Sequence, residues 1–449
     1  MSALAFASPW ISGTFSLSSS SPCLSLFSTS SLDLCKFSSY YFCSSAFPSP
    51  SPHHFHRGGA AFCRSQLGAP DGLKFVLHDA LDSSGTDATH SRAAREGFCV
   101  QIEKLSSIER ETSISINRGV DLGKTALYIA AEDDSLISHS SVPLPVDAFL
   151  ERLDDHSMHF CSHYSSSLRS SPENFLECLE RYLYVDKGFK RSNVRNQLEQ
   201  RSLYLPSVLT HRVGSVTMLS LIYSEILKML RLWGLLNFDA EIFFPRDSHS
   251  LPRGYHKQKS KESDQLHIMT SLSLLVEILG DLKNAFWPFQ LGNSGSLFLR
   301  AAHAANCSDG SNNIKESAYE LASAKAARHR LERGVWTSVR FGDMRRALSA
   351  CERLILLETD PKELRDYSVL LYHCGFYEES LQFLRYYQEA KKSLSSESLD
   401  DLEEDAVEKL IVRLNLILTE KGWSRLHMKE VTSLATLNHG NGSCAFSGI

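Results

Sequence analysis

Residues 210–230 read "THRVGSVTMLSLIYSEILKML", and the turn in this stretch decides how the rest of the chain is read. Pro206 can open a short helix that ends near Arg212, and Gly214 breaks it. A longer helix then places Leu219, Ile222, Tyr223, Ile226 and Leu230 on one apolar face. Its first turn offers Ser215, Val216 and Thr217. A hydroxyl residue at a helix start usually serves as a cap, because it satisfies backbone N–H groups that lack partners in the helix.

Upstream, "DLGKTALYIAAEDDSL" reads as a helix with Asp121 as its cap and Leu122, Ala126, Ile129 and Ala130 on one face. Pro143 and Pro145 open the next helix, which carries Phe149, Leu150, Leu153 and Phe160. Pro172 opens a third, where Phe175, Leu176, Leu179, Tyr182 and Leu183 form a helical stripe that stops at Gly188. Downstream, "FDAEIFF" (238–244) has the aromatic and β-branched content of a strand. Residues 245–265 read as a solvated loop with seven Lys, Arg and His residues before Glu262, and this patch suits an acidic partner. "HIMTSLSLLVEIL" (267–279) is apolar enough for strand or helix, and periodicity leaves both open. Residues 64–120 are weakly patterned and read as an extension, and "NCSDGSNN" (306–313) reads as a linker.

Beyond that linker the chain is helical, and it repeats. "GDMRRALSACERL" (342–354) aligns with "GFYEESLQFLRYY" (375–387) at an offset of 33, pairing Gly342 with Gly375, Ala347 with Ser380, Leu348 with Leu381 and Cys351 with Leu384. This period, with a small residue at the helix crossing and Asp360-Pro361 closing the first unit, resembles the tetratricopeptide pattern. Two repeats are fewer than the three such arrays usually need, so Leu364, Tyr367 and Leu371 require cover from the core, the last helix or a partner. That last helix has an acidic start (Asp400, Asp401, Glu403, Glu404, Asp405), which suits the helix dipole.

The first 63 residues hold 18 serines, two basic residues (Lys36, Arg57) and one acidic residue (Asp33). This composition fits an organellar transit peptide, plastid rather than mitochondrial because arginine is scarce, with processing near Cys63. A merely disordered N-terminus is the plainer reading. Without this leader, 386 residues remain, with 45 basic against 51 acidic side chains. That mild acidity argues against nucleic-acid binding. No apolar run reaches 18 residues, so no membrane span is expected. The seven remaining cysteines (99, 161, 178, 307, 351, 374, 444) form no C-x-x-C pair, so neither a disulfide framework nor a zinc site is expected. Dinucleotide, phosphate-loop and metalloprotease motifs are absent, and no cofactor is expected.

Several blocks together resemble the SirB-type family. "YLYVDKGFKRSN" (182–193) is similar to its aromatic-Leu, Gly-Phe, Asn block, and "YLPSVLTHRVG" (204–214) to its Tyr-Leu-x-x-Val-Leu-x-x-Arg-x-Gly block. Leu219, Tyr223 and Glu225 keep the family's spacing, and "ELRDY" (363–367) is similar to an Arg-Asp pair in its second module. The resemblance implies an α+β, predominantly helical fold: a transglutaminase-like (papain-like) core followed by an all-α tetratricopeptide-like repeat module. The expected organisation is a transit peptide (1–63), an extension (64–120), the core (121–305), a linker (306–315), the repeat helices (316–392), a C-terminal helix (393–425) and a disordered tail (426–449).

Two departures bear on activity. The family reads Gly-Ile-Pro-Ile after the turn, where this chain has Gly214-Ser215-Val216-Thr217, so Val216 stands where an active enzyme of this type places cysteine. The family's Pro-Gly-His after the strand becomes Pro245-Arg246-Asp247, so Asp247 takes the place of histidine. Ser215 and Thr217 would need a base, from among His211, His249, His256 and His267, and Cys178 lies too far along the chain to replace the thiol. No catalytic residue is therefore assigned. The expectation is a pseudoenzyme that binds a protein or peptide through Leu364, Tyr367 and Leu371 and through Arg253 and Lys257 of the basic loop. A divergent acyl-transferase or peptidase, or a structural subunit of a larger complex, are the alternatives.

Overall fold

The computed structural model describes residues 75–83, 85–115, 119–138, 142–166, 170–192, 200–245, 247, 249–257, 269–289, 296–305, 343–393 and 401–437. The expected transit peptide, the linker and Gly342 of the first repeat lie outside them. Three helices open the described chain: α1 (Val76–Ser83), α2 (Thr89–Glu103) and α3 (Ser107–Glu111). They correct the expectation of a weakly structured extension, because Leu77, Leu81, Phe98 and Cys99 belong to the main core. Their pattern is weak because they also bury polar side chains, His78 and Arg95 among them.

Helices α4 (Leu122–Ser138), α5 (Val146–His163) and α6 (Pro172–Arg181) follow. Asp121 caps α4 by accepting from the Lys124 N–H at 2.9 Å. Ser171 does the same for α6 from Asn174, with Pro172 in the first turn. A wide turn of helix (Tyr182–Asp186) extends α6 until Gly188 leaves it with φ at +70°.

The quoted stretch builds two helices and a short strand pair. Helix α7 (Leu205–His211) ends on Arg212, which takes the left-handed conformation at φ 59°. Strand β1 (Lys190–Arg191) runs parallel to β2 (Val213–Gly214), with Arg191 opposite Gly214. A side chain at position 214 would place its Cβ 2.8 Å from Val208, so glycine keeps α7 close to the next helix. That helix, α8 (Val216–Leu232), is capped by Ser215, whose Oγ accepts from the Met218 N–H at 3.2 Å. It is the buried axis of the fold, contacting α4, α5 and α9.

Strand β3 (Ala240–Phe243) forms an antiparallel pair with β4 (Arg253–His256). The expected loop at 245–265 thus contains a strand, with its outer edge against α6. The ambiguous apolar run at 267–279 supplies helix α9 (Ser271–Phe286), started by a capping box between Thr270 and Ser273. Helix α10 (Leu297–Ala304) is followed, among the described residues, by α11 (Met344–Leu356), α12 (Lys362–Cys374), α13 (Tyr377–Ser393) and α14 (Asp401–Leu437). The last runs to Leu437, which corrects the expected disorder over 426–437, while 438–449 lie outside the described residues. At the small-residue crossing, the Ser380 hydroxyl donates to the Ser368 carbonyl and the Ser368 hydroxyl to the Ser380 carbonyl, at 2.9 and 2.8 Å.

Buried apolar side chains from Leu77 to Leu414 form one continuous cluster. Helix α11 packs on α9 of the core, and α12 packs on α10, α11 and α13. No helix among the described residues is long and apolar enough to cross a membrane.

Candidate functional site

The start of α8 is where the sequence places chemistry. Val216 is buried there at 6 % exposure. The hydroxyls beside it are both engaged: Ser215 caps the helix, and Thr217 Oγ1 donates to Asp281 Oδ2 on α9 at 3.2 Å. Burial raises the Asp281 carboxyl to about 6, against the Thr217 hydrogen bond that lowers it and with nearby Glu277 adding to the rise. A hydroxyl beside a carboxylate that titrates near 6 is the nearest approach to a nucleophile–base pair at this helix start.

Asp247 is drawn to the same end of the fold by Arg191. Nη1 of Arg191, opposite Gly214 on the strand pair, donates to the carbonyls of Asp247 and Ser250 at 2.6 and 2.7 Å. The Asp247 carboxylate closes its own turn, with Oδ1 accepting from the Ser250 and His249 N–H groups at 2.6 and 2.9 Å. Hydrogen bonds from Ser250, then from His249, with Arg191 nearby, pull this carboxyl down to about 2. It is an anion fixed in a loop and cannot exchange a proton near neutrality as histidine would. His211 and His249 are exposed, His256 packs on Phe238, and His267 lies outside the described residues.

The expected partner-binding residues divide. Tyr367 is fully buried, Leu371 is 1 % exposed and Leu364 is half-buried. The chain itself supplies their cover, so Tyr367 and Leu371 are not on the exposed surface, and of the three sources of cover expected it is the fold that provides it. The pattern marked α12 as needing cover but could not show that α10, α11 and α13 provide it. Arg253 and Lys257 are exposed, and Tyr255 between them is 44 % exposed. Because side chains alternate along a strand, Arg253, Tyr255 and Lys257 share one outward face.

Sequence reasoning missed a buried polar network joining the first helices to the last. Glu132 of α4 accepts from Arg95 of α2 (Nε 2.8 Å, Nη2 2.6 Å) and from the Ser349 hydroxyl of α11 at 2.5 Å. Arg353 Nε lies 3.4 Å from Glu132, and its Nη2 donates to Asp133. The second Asp133 oxygen accepts from Tyr204 Oη at 2.7 Å. Glu352 accepts from Arg95 at 2.8 Å, from the Leu77 N–H at 2.9 Å and from Tyr367 Oη at 2.5 Å. Burial opposes ionisation of Glu132, yet Arg353 and Arg95 outweigh it and hold the carboxyl well below its ordinary range. Asp133 moves the other way, because burial there exceeds the pull of Arg353. The available signal was Glu132-Asp133 on the apolar side of a helix, where a charge requires a buried partner.

The Arg-Asp pair at 365–366 ties a second junction. Arg365 donates to Asp366 and, at 2.5 Å, to Glu403 of α14, with its guanidinium 4.4 Å from the ring centre of Phe298 on α10. Lys283 of α9 donates to Glu363 at 2.7 Å and to Asp366 at 3.2 Å. These contacts assign the pair to assembly of the fold.

Neither a characterised protein nor a solved structure matches the chain. Residues 147–233, which span α5 to the end of α8, match the family model of the transglutaminase-like superfamily, and this segment is a transglutaminase-like domain.

Proposed function

We propose that this chain is a non-catalytic, SirB-type protein that uses its transglutaminase-like domain and tetratricopeptide-like helices as a scaffold for a protein partner in the plastid stroma. The observation that carries the reading is the start of α8. An acyl-transfer enzyme of this design needs an activated thiolate there. Val216 offers a buried isopropyl group, and the Asp247 carboxylate is committed to its own turn. The outward face of β4, with Arg253, Tyr255 and Lys257, suits an acidic segment of the partner.

A second reading, a divergent acyl-transferase or peptidase, draws on the Thr217–Asp281 contact. One assay separates the two. The full chain, incubated with an amine donor and an acyl electrophile from pH 5 to 8, is expected to show neither turnover nor labelling. Turnover that rises through about pH 6 and disappears in Asp281→Asn would establish the enzyme instead. In the scaffold reading, Arg253→Glu with Lys257→Glu weakens capture of the partner in a salt-dependent way, because exposed charges are screened. Capture unaffected by that double change moves the partner to another face.

Location has its own test, motivated by the serine-rich, acid-poor leader. A fluorescent reporter fused after residues 1–70 is expected to enter plastids, and cytosolic fluorescence would contradict the assignment.

A further inference from the structure

The last turns of α5 read "HFCSH" (159–163), which puts His159 and His163 one helical turn apart on the same face. Both side chains are exposed, and their ring centres are 6.4 Å apart at an interplanar angle of 67°. His163 Nδ1 lies 2.9 Å from the His159 carbonyl, which can only accept, so Nδ1 carries the proton and donates. Ser162 Oγ, which donates to the same carbonyl, lies 3.2 Å from Nδ1, and with the proton on Nδ1 the Nε2 lone pair of His163 is left for an outside electrophile. Metal-ligating histidines are held in the same way, with one ring N–H donated to a carbonyl or carboxylate and the other nitrogen on the ion.

We propose that His159 and His163 form a surface chelate for a borderline divalent cation of the zinc or copper(II) class. Two imidazoles one turn apart on a helix are an established zinc-binding arrangement. Two rings bound to one ion at about 2.0–2.1 Å have centres roughly 5 Å apart. Closing the observed 6.4 Å to that separation requires the exposed His159 side chain to rotate toward His163. Imidazole nitrogen suits zinc and copper, whereas calcium and magnesium prefer oxygen donors. Among the described residues no group of three His, Cys, Asp or Glu side chains is placed to hold a metal. Water therefore completes the coordination, and the site is a two-point clamp rather than a structural centre. Its effect is on α5: the ion bridges the final two turns next to Tyr164, which stacks on Phe160 and donates to Asp186 beyond the end of α6.

The test uses the full chain stripped with a chelator and titrated with zinc chloride alone by calorimetry, then with copper(II) sulfate followed by electron paramagnetic resonance. One saturating equivalent is expected, with a copper spectrum showing coupling to imidazole nitrogen. Copper should bind more tightly than zinc, as expected for any nitrogen site. His159→Ala and His163→Ala should each lower affinity at least tenfold, and His90→Ala on α2 should leave it unchanged. Binding should also weaken at acid pH, because protons compete for the imidazole lone pairs. Circular dichroism checks that the two variants, both at exposed positions, stay folded. No saturable binding up to 100-fold excess metal would overturn the proposal. Binding that survives both single substitutions would also overturn it, since the ion would then sit elsewhere.

Discussion

Replacing Glu132 with alanine is expected to remove about 3–5 kcal/mol of stability, the usual result when one member of a buried ion pair is deleted. The cost arises in what remains. Arg95 and Arg353 are both fully buried, and each would be left with one carboxylate, Glu352 or Asp133, where it now has two. The Ser349 hydroxyl would lose its acceptor as well. Glu132→Gln is nearly the same shape and should be almost as damaging, because the missing quantity is charge. Domains typically have a margin of about 5–15 kcal/mol, so either variant should sit near its unfolding midpoint in mild urea. Arg92→Ala is the comparison. Its pairs with Asp79 and Asp82 are part-exposed, and surface pairs contribute about 0–1 kcal/mol. The measurement is urea unfolding of the three variants beside wild type. A Glu132→Gln loss below about 1 kcal/mol would mean that water reaches the network and that it does not fasten the helices.

The second large effect is expected on separating the C-terminal helices from the rest. Residues 343–437 expressed alone should be largely unfolded, whereas an independent repeat domain would melt cooperatively. Three arginines of α11 have partners outside that segment, although Arg346 keeps Asp343 and Arg353 keeps Ser349 within it. Arg353 lies against Glu132 and Asp133, Arg345 donates to the Leu136 carbonyl at 2.7 Å, and Arg346 stacks 3.7 Å from the ring centre of Phe286. Asp366 would lose Lys283, and Arg365 its seat on Phe298. The apolar faces of α11 and α12 would also lose α9 and α10. Burying each large apolar side chain contributes about 1.5–3 kcal/mol, so even a few exposed ones exceed the margin of an array of this size. Far-ultraviolet circular dichroism with thermal melting measures the outcome. A sharp transition at the temperature of the full chain would show that the segment is a domain in its own right.

Local signals in the sequence were sufficient for much of the transglutaminase-like region. Proline openings, the Ser215 cap, the stop at Arg212 and the stripe on α8 depend on neighbours within a few residues, and they can be read from spacing. The sequence also showed that Val216 and Asp247 depart in residue type from what the family resemblance implies at those positions. Tertiary structure decided the rest. Periodicity identifies the apolar face of α12 but not what covers it, so Tyr367 and Leu371 read as a docking surface until α10, α11 and α13 were in place. The apolar run at α9 suited two secondary structures until its capping box and its packing on α11 selected the helix. The network around Glu132 joins residues up to 275 positions apart, from the Leu77 N–H to Glu352. No local pattern encodes such a partnership, because a charge on a core face shows only that it needs a buried partner, and the fold alone determines which residue arrives.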